Sequence, residues 1–197
     1  MRGPAFVVSV LTFLLAASFA HAQQLNIAFG DSITLSPQYR NSSLEYPAPQ
    51  EKGGQYVSGT VEYILADHPF GLNVELADKY SQGLYNGYQK FRPVLYDVNA
   101  VFAPHIRHKM EADIMAGVGG ETLIFYSGYE GCAYIACTPL TNSTHFMGHI
   151  GGGVRYYFWR RFFVRPEAHI YFIHNNFQFN SDYFGRVGAS VGFTFGP

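Results

Sequence analysis

The stretch RVGASVGFTFGP, residues 186–197, alternates without a break. Val187, Ala189, Val191, Phe193 and Phe195 fall on one face, and Arg186, Gly188, Ser190, Gly192 and Thr194 on the other. A period of two marks a strand set between two different environments. One face is bulky and apolar. The other is small and polar. Which of them points inward decides what kind of protein this is.

The same alternation recurs along the chain, giving eight segments in all: 25–35, 56–66, 72–80, 92–103, 110–124, 146–158, 162–173 and 183–195. Each is about as long as the 9–11 residues a tilted strand needs to cross a bilayer. The connections alternate too. Those at 67–70, 105–109 and 159–161 are tight. Those at 36–55, 81–90, 126–144 and 175–182 are longer and rich in Gly, Asn, Ser, Pro and Tyr, as surface loops are. Short turns at one end and long loops at the other describe an up-and-down barrel. The expected fold is all-β, an eight-stranded antiparallel up-and-down transmembrane barrel.

Composition narrows the function. Charged residues make up 14% of the chain, against about 25% in soluble domains. Aromatics reach 17%, and the formal net charge is -1. A balance this close to neutral implies no polyelectrolyte partner and no nucleic acid. Arg2, the apolar run 5–20 and the small-x-small triplet Ala20-His21-Ala22 read as a secretory signal peptide cut before Gln23. Residues 1–22 are then the leader and 23–197 the barrel domain; the other reading of the leader is a short anchor helix. Cys132 and Cys137 flank AYIA in the third long loop. In an oxidising compartment such a pair is expected to form a disulfide. A metal pair is the alternative, but it needs two more ligands and only His145 lies near. No metal or cofactor is expected.

A soluble barrel keeps its apolar face inside and shows a charged face to water. Here the polar face carries Gly30, Gly117, Gly119, Gly151, Gly153, Gly188, Gly192, Ser58 and Ser190, residues that suit a crowded interior. The apolar face carries few charges, Asp31, Asp78 and Arg92, all near the long-loop end. The apolar face is therefore expected to meet lipid, and closure follows because an open strand edge in hydrocarbon leaves backbone groups unpaired. Phe102, Tyr156, Phe158, Trp159, Phe162, Phe193 and Phe195 gather near the short turns, and Tyr80 and Tyr183 near the long loops, in the manner of interfacial girdles.

The pattern over residues 23–197, and its closing strand YFGRVGASVGFTF above all, resembles the small eight-stranded outer-membrane barrel proteins of the OmpA-like and OmpX-like group. The resemblance implies a bacterial outer-membrane location among lipid and lipopolysaccharide. It also implies a final aromatic strand, here with Phe193 and Phe195, that the barrel assembly machinery reads. This chain departs from that pattern in Gly196 and Pro197, which follow the last aromatic.

The inward face carries Glu62, Glu75, Asp97, Glu111, Asp113, Glu121 and Glu167 against Lys79, Arg155, Arg165 and Arg186, with His149 and His169. Buried charges must be paired, and an eight-stranded barrel is just wide enough for side chains to fill it. If the 159–161 turn is centred on Arg160, Arg155 lies opposite Arg165. The expectation is a cluster of Arg155, Arg165, Glu111 and Glu167, with Glu62 reaching in, that plugs the lumen. The role that follows is structural, with loops displayed at the surface. The alternatives are an adhesin-like interaction protein, an enzyme acting on lipid A, or a narrow porin. For the enzyme, His174 in IHNNF has Asn176 where an acyl-transfer site needs a hydroxyl, so no catalytic residue is expected. GGGVR at 151–155 lies within a strand and precedes no helix, so it is no phosphate loop. HIRH at 105–108 reads as a solvated turn.

Overall fold

The computed structural model describes residues 24–35, 54–65, 68–85, 89–126, 140–176, 179 and 182–196. The leader and both cysteines lie outside the described residues. Among the described residues ten strands form one sheet: β1 (Gln24–Leu35), β2 (Gln55–Ile64), β3 (Phe70–Lys79), β4 (Gly83–Tyr85), β5 (Gln89–Phe102), β6 (His105–Arg107), β7 (Met110–Tyr126), β8 (Leu140–Trp159), β9 (Phe162–Ile173) and β10 (Tyr183–Phe195). Eight of them close a barrel, because β5 pairs with β7 and β1 with β10. The short strands β4 and β6 only extend hairpins, pairing with β5 and β7. Among the described residues no helix is long and apolar enough to cross a membrane.

One row of partners runs Leu25, Tyr63, Leu72, Ala100, Ala116, Ile150, Ile170, Gly185 and back to β1 at Leu35. The circuit closes ten residues above its start, from Leu25 to Leu35. That stagger on eight strands tilts them by about 40–45°.

The outer surface is apolar over a continuous belt. Ile27, Val61, Val74, Val98 and Val118 form one row of it, with Val98 51% exposed and Phe29 70%. The charges on this face are handled locally. Arg92 Nε lies 3.2 Å from Asp78 Oδ1, and Gln55 donates to Asp31.

Three features differ from the sequence expectations. First, β8 is 20 residues long and β7 is 17, and their ladder continues to Tyr126 opposite Leu140. The stretch expected to be loop from 126 to 144 is therefore partly sheet. At the tilt above, β8 rises about 50 Å, twice the apolar band of about 25 Å. Second, the 81–90 loop contains β4, hydrogen-bonded to the start of β5, and the 105–109 stretch expected to be a tight, solvated turn contains β6, paired with β7 through His105 opposite Glu111. Third, the inward face is not only polar. Tyr56, Leu95, Met147, Tyr171 and Phe184 pack together toward the long-loop end, Ile64, Val101 and Met115 lower down, and Phe91, Leu123, Phe125 and Phe179 above. Charges lie between apolar layers that keep water from them.

The belt has a measurable consequence. Val98→Arg is expected to cost about 2–4 kcal/mol of folding free energy in lipid vesicles, and Tyr80→Arg, just past β3, about 0–1 kcal/mol. A cost that does not depend on depth contradicts a lipid-facing belt.

Candidate functional site in the barrel lumen

Strand alternation carries every inward acid and base named above into the lumen, where each is buried. Glu111 stands opposite Arg155 across the β7–β8 ladder. The β8–β9 ladder pairs Tyr156 with Val164 and Gly153 with Glu167, which sets Arg155 beside Arg165. The turn between these strands is Arg160–Arg161, with Arg160 at φ 44°.

Two guanidinium groups side by side repel unless carboxylates separate them. Arg155 donates to Glu111 at 3.0 Å, to both oxygens of Asp113 at 2.8 and 2.9 Å, and to Glu62. Arg165 donates to Glu167 at 2.8 Å, with longer contacts of 3.4 Å to Glu62 and 3.5 Å to Asp113. Glu62 and Asp113 are thus shared by both arginines. The Arg155 guanidinium also sits over the Phe163 ring, 4.9 Å from its centroid, a favourable contact for a desolvated cation.

Acids outnumber fixed cations here, so neutral donors complete the shell. Asn26 donates to Glu62 at 3.0 Å, Tyr157 to Glu111 at 3.2 Å and Ser190 to Glu167 at 3.2 Å. Thr194 donates to Asn26 at 2.7 Å. The cluster therefore ties β1, β2 and β7 through β10 across the lumen.

Higher up, His149 and His169 share a hydrogen bond of 2.8 Å between Nε2 and Nδ1. The other ring nitrogen of His149 meets Asn99 at 2.7 Å and Asp97 at 3.4 Å. His169 Nε2 lies 3.6 Å from Glu167, so Glu167 joins the two clusters. Arg186 donates to Glu75 and lies over the Tyr171 ring at 5.3 Å, while Tyr171 stacks on His149 at 4.5 Å.

The glycine run now has a reason. A Cβ on Gly151 would stand 2.6 Å from His169 Nδ1 and 2.9 Å from His149 Nε2, and one on Gly153 would stand 2.6 Å from the Pro166 carbonyl and 3.1 Å from Arg165 Cγ. These positions are empty so that the histidine pair and the arginine stem can occupy the space.

The arrangement brings together Glu62, Glu111, Arg155, Arg165 and Glu167. It adds Asp113, Asn26, Tyr157 and Ser190, which sequence reasoning left out of the cluster. The signal for Asp113 was present, since it lies two residues from Glu111 on the same face. Phe193 and Phe195 lie on the outer face at the end of β10, their rings 4.7 Å apart. Among the described residues no group of His, Cys, Asp or Glu could hold a metal ion. His174 sits in an exposed turn.

No protein-family model and no curated protein sequence matches this chain. Solved structures do. The N-terminal β-barrel domain of Pseudomonas aeruginosa OprF is 16% identical, with a TM-score of 0.56 over 89% of this chain and 98% of that one. Neisserial surface protein A is 12% identical with a TM-score of 0.58, again covering 89% and 98%. Ail, the attachment invasion locus protein of Yersinia pestis, is 12% identical with a TM-score of 0.56, covering 88% and 97%. At such identities the likeness is one of fold, and it spans the whole barrel. The protein has the fold of the small eight-stranded outer-membrane β-barrels.

Arg155→Met leaves Glu62, Glu111 and Asp113 buried without their principal cation. It is expected to cost about 3–5 kcal/mol of stability. Glu111→Gln, which keeps a hydrogen-bonding head, should cost about 1–2 kcal/mol. Denaturant titration in vesicles distinguishes the two. Equal small losses would mean that the charges are hydrated rather than paired.

Proposed function

We propose that the protein is a bacterial outer-membrane barrel with a structural role in the envelope, closed to ions and holding its long loops at the cell surface. In this role its surroundings are outer-membrane lipid and lipopolysaccharide, and Phe193 and Phe195 form the end of the strand that the assembly machinery reads. The observation that supports closure is the bridging of Arg155 and Arg165 by Glu62 and Asp113 across the lumen. An ion path there would have to break several charge-assisted bonds at once.

A second reading, an interaction protein, is favoured by one specific feature. The β7–β8 ladder continues well beyond the apolar belt, to Tyr126 and Leu140. A paired hairpin standing clear of lipid is a rigid mount for a binding loop. Neither role includes a catalytic step, and in sequence His174 is followed by Asn175 and Asn176 rather than by a hydroxyl.

Recording in planar bilayers tests the closed barrel. The wild-type protein is expected to be silent, and the double variant Arg155→Ala, Arg165→Ala to conduct. A steady large conductance from the wild type would overturn closure and make the protein a porin.

A further inference from the structure

The exposed cations at the short-turn end are unevenly placed. Arg107 and Lys109 lie in the β5–β7 connection, and Arg160 and Arg161 in the β8–β9 turn; all four are exposed. The two turns are neighbours, tied by the Tyr157 amide donating to the Lys109 carbonyl at 2.9 Å. The described part of the β2–β3 turn, His68 and Pro69, carries no Lys or Arg. Glu111, the acid that lines the patch among the described residues, is already held by Arg155 at 3.0 Å and His105 at 2.9 Å.

Two concavities meet at this patch. One, of about 320 Å³, is lined by all four cations together with His105 and His108. The other, of about 390 Å³, is lined by Trp159, Arg160, Arg161, Phe162 and Phe193. Its rings form a continuous apolar shelf on the outer face. Trp159 stacks on Phe162 at 5.5 Å, and Phe162 meets Phe193 edge-on at 4.9 Å. Arg160 and Arg161 belong to both concavities.

We infer that this shelf and basic patch form a binding site for an anionic phospholipid of the leaflet at the short-turn side. The phosphate sits among Arg160, Arg161, Arg107 and Lys109, and the acyl chains lie along Trp159, Phe162 and Phe193. The inference rests on the membrane reading above. The occupant follows from the shared arginines. A free anion matches only the basic cavity and a neutral lipid only the aromatic shelf, whereas an amphiphile with a charged head matches both. Guanidinium groups suit phosphate oxygens, aromatic rings suit the interface, and each cation near a lipid surface favours anionic headgroups by about fivefold.

Trp159 is the sole tryptophan, so its fluorescence reports the site directly. The folded protein is placed in mixed vesicles carrying either brominated phosphatidylglycerol or brominated phosphatidylcholine, and quenching of Trp159 is compared at equal mole fraction. At least about threefold preferential association of the anionic lipid is expected. The preference should be markedly reduced in the double variant Arg160→Asn, Arg161→Gln, where Asn tolerates the left-handed φ of position 160 and only Arg107 and Lys109 remain. It should persist in Arg92→Gln, at the opposite rim. Equal quenching by both lipids in the wild type overturns the site while leaving the membrane barrel intact. No quenching by either overturns the membrane reading and the site with it. A preference that the Arg160→Asn, Arg161→Gln variant retains undiminished means that the anionic lipid is drawn by something other than this patch, and overturns the site.

Discussion

Arg155 and Arg165 lie side by side, both buried in the lumen, and the rest of the barrel is arranged around that fact. Buried cations this close are tolerable only when carboxylates stand between them. Glu62 from β2 and Asp113 from β7 do so. They come from strands on different sides of the ring, so the lumen must be narrow enough for them to meet the arginines. Eight strands and a stagger of ten residues supply that width. Glycines at 151 and 153 supply the room that remains. Apolar side chains above and below the charges surround them with a poorly hydrated medium, which strengthens each pair and makes each unpaired member costly.

The outer face obeys the opposite rule. Its valines, leucines and phenylalanines contribute nothing to a conventional core, since they are among the most exposed residues of the chain. They are stable there only against hydrocarbon, and closure of the ladder is the matching requirement on the backbone. The polar inside and the apolar outside are thus one design, in which the solvent for the fold is lipid. Where the belt ends, the rules change again: β7 and β8 continue as a paired hairpin, and cations gather on the short turns at the other end.

Much of this was legible from side-chain period alone. In every long strand the residues read as outward are exposed or half-buried and none is buried, because a register slip of one residue would bury the wrong face. Arg155 opposite Arg165 was expected from a turn centred on Arg160; the turn is Arg160–Arg161, and a register shift between Tyr157 and Trp159 brings the two arginines into that register. Three things were not legible. Asp113 was legible as an inward acid but not as the bridge between both arginines, because that depends on reach across the lumen, which the stagger sets and no single strand encodes. The continuation of β7 and β8 was hidden because Ser143, Thr144 and His145 look like loop once no lipid constrains the outer face. The inward apolar layers were missed because alternation was used to separate apolar from polar, while Tyr56, Leu95 and Met147 stand on the same face as the charges.

The most direct measurement of the ion-paired lumen is proton exchange at the arginine side chains, by NMR of the protein in bilayer nanodiscs. The guanidinium N–H groups of Arg155, Arg165 and Arg186 are expected to exchange far more slowly than those of the exposed Arg107, Arg160 and Arg161, with cross-relaxation from Arg155 to the side-chain protons of Glu62 and Asp113. Exchange of Arg155 and Arg165 as fast as that of Arg160 would mean a hydrated lumen, and would contradict the account.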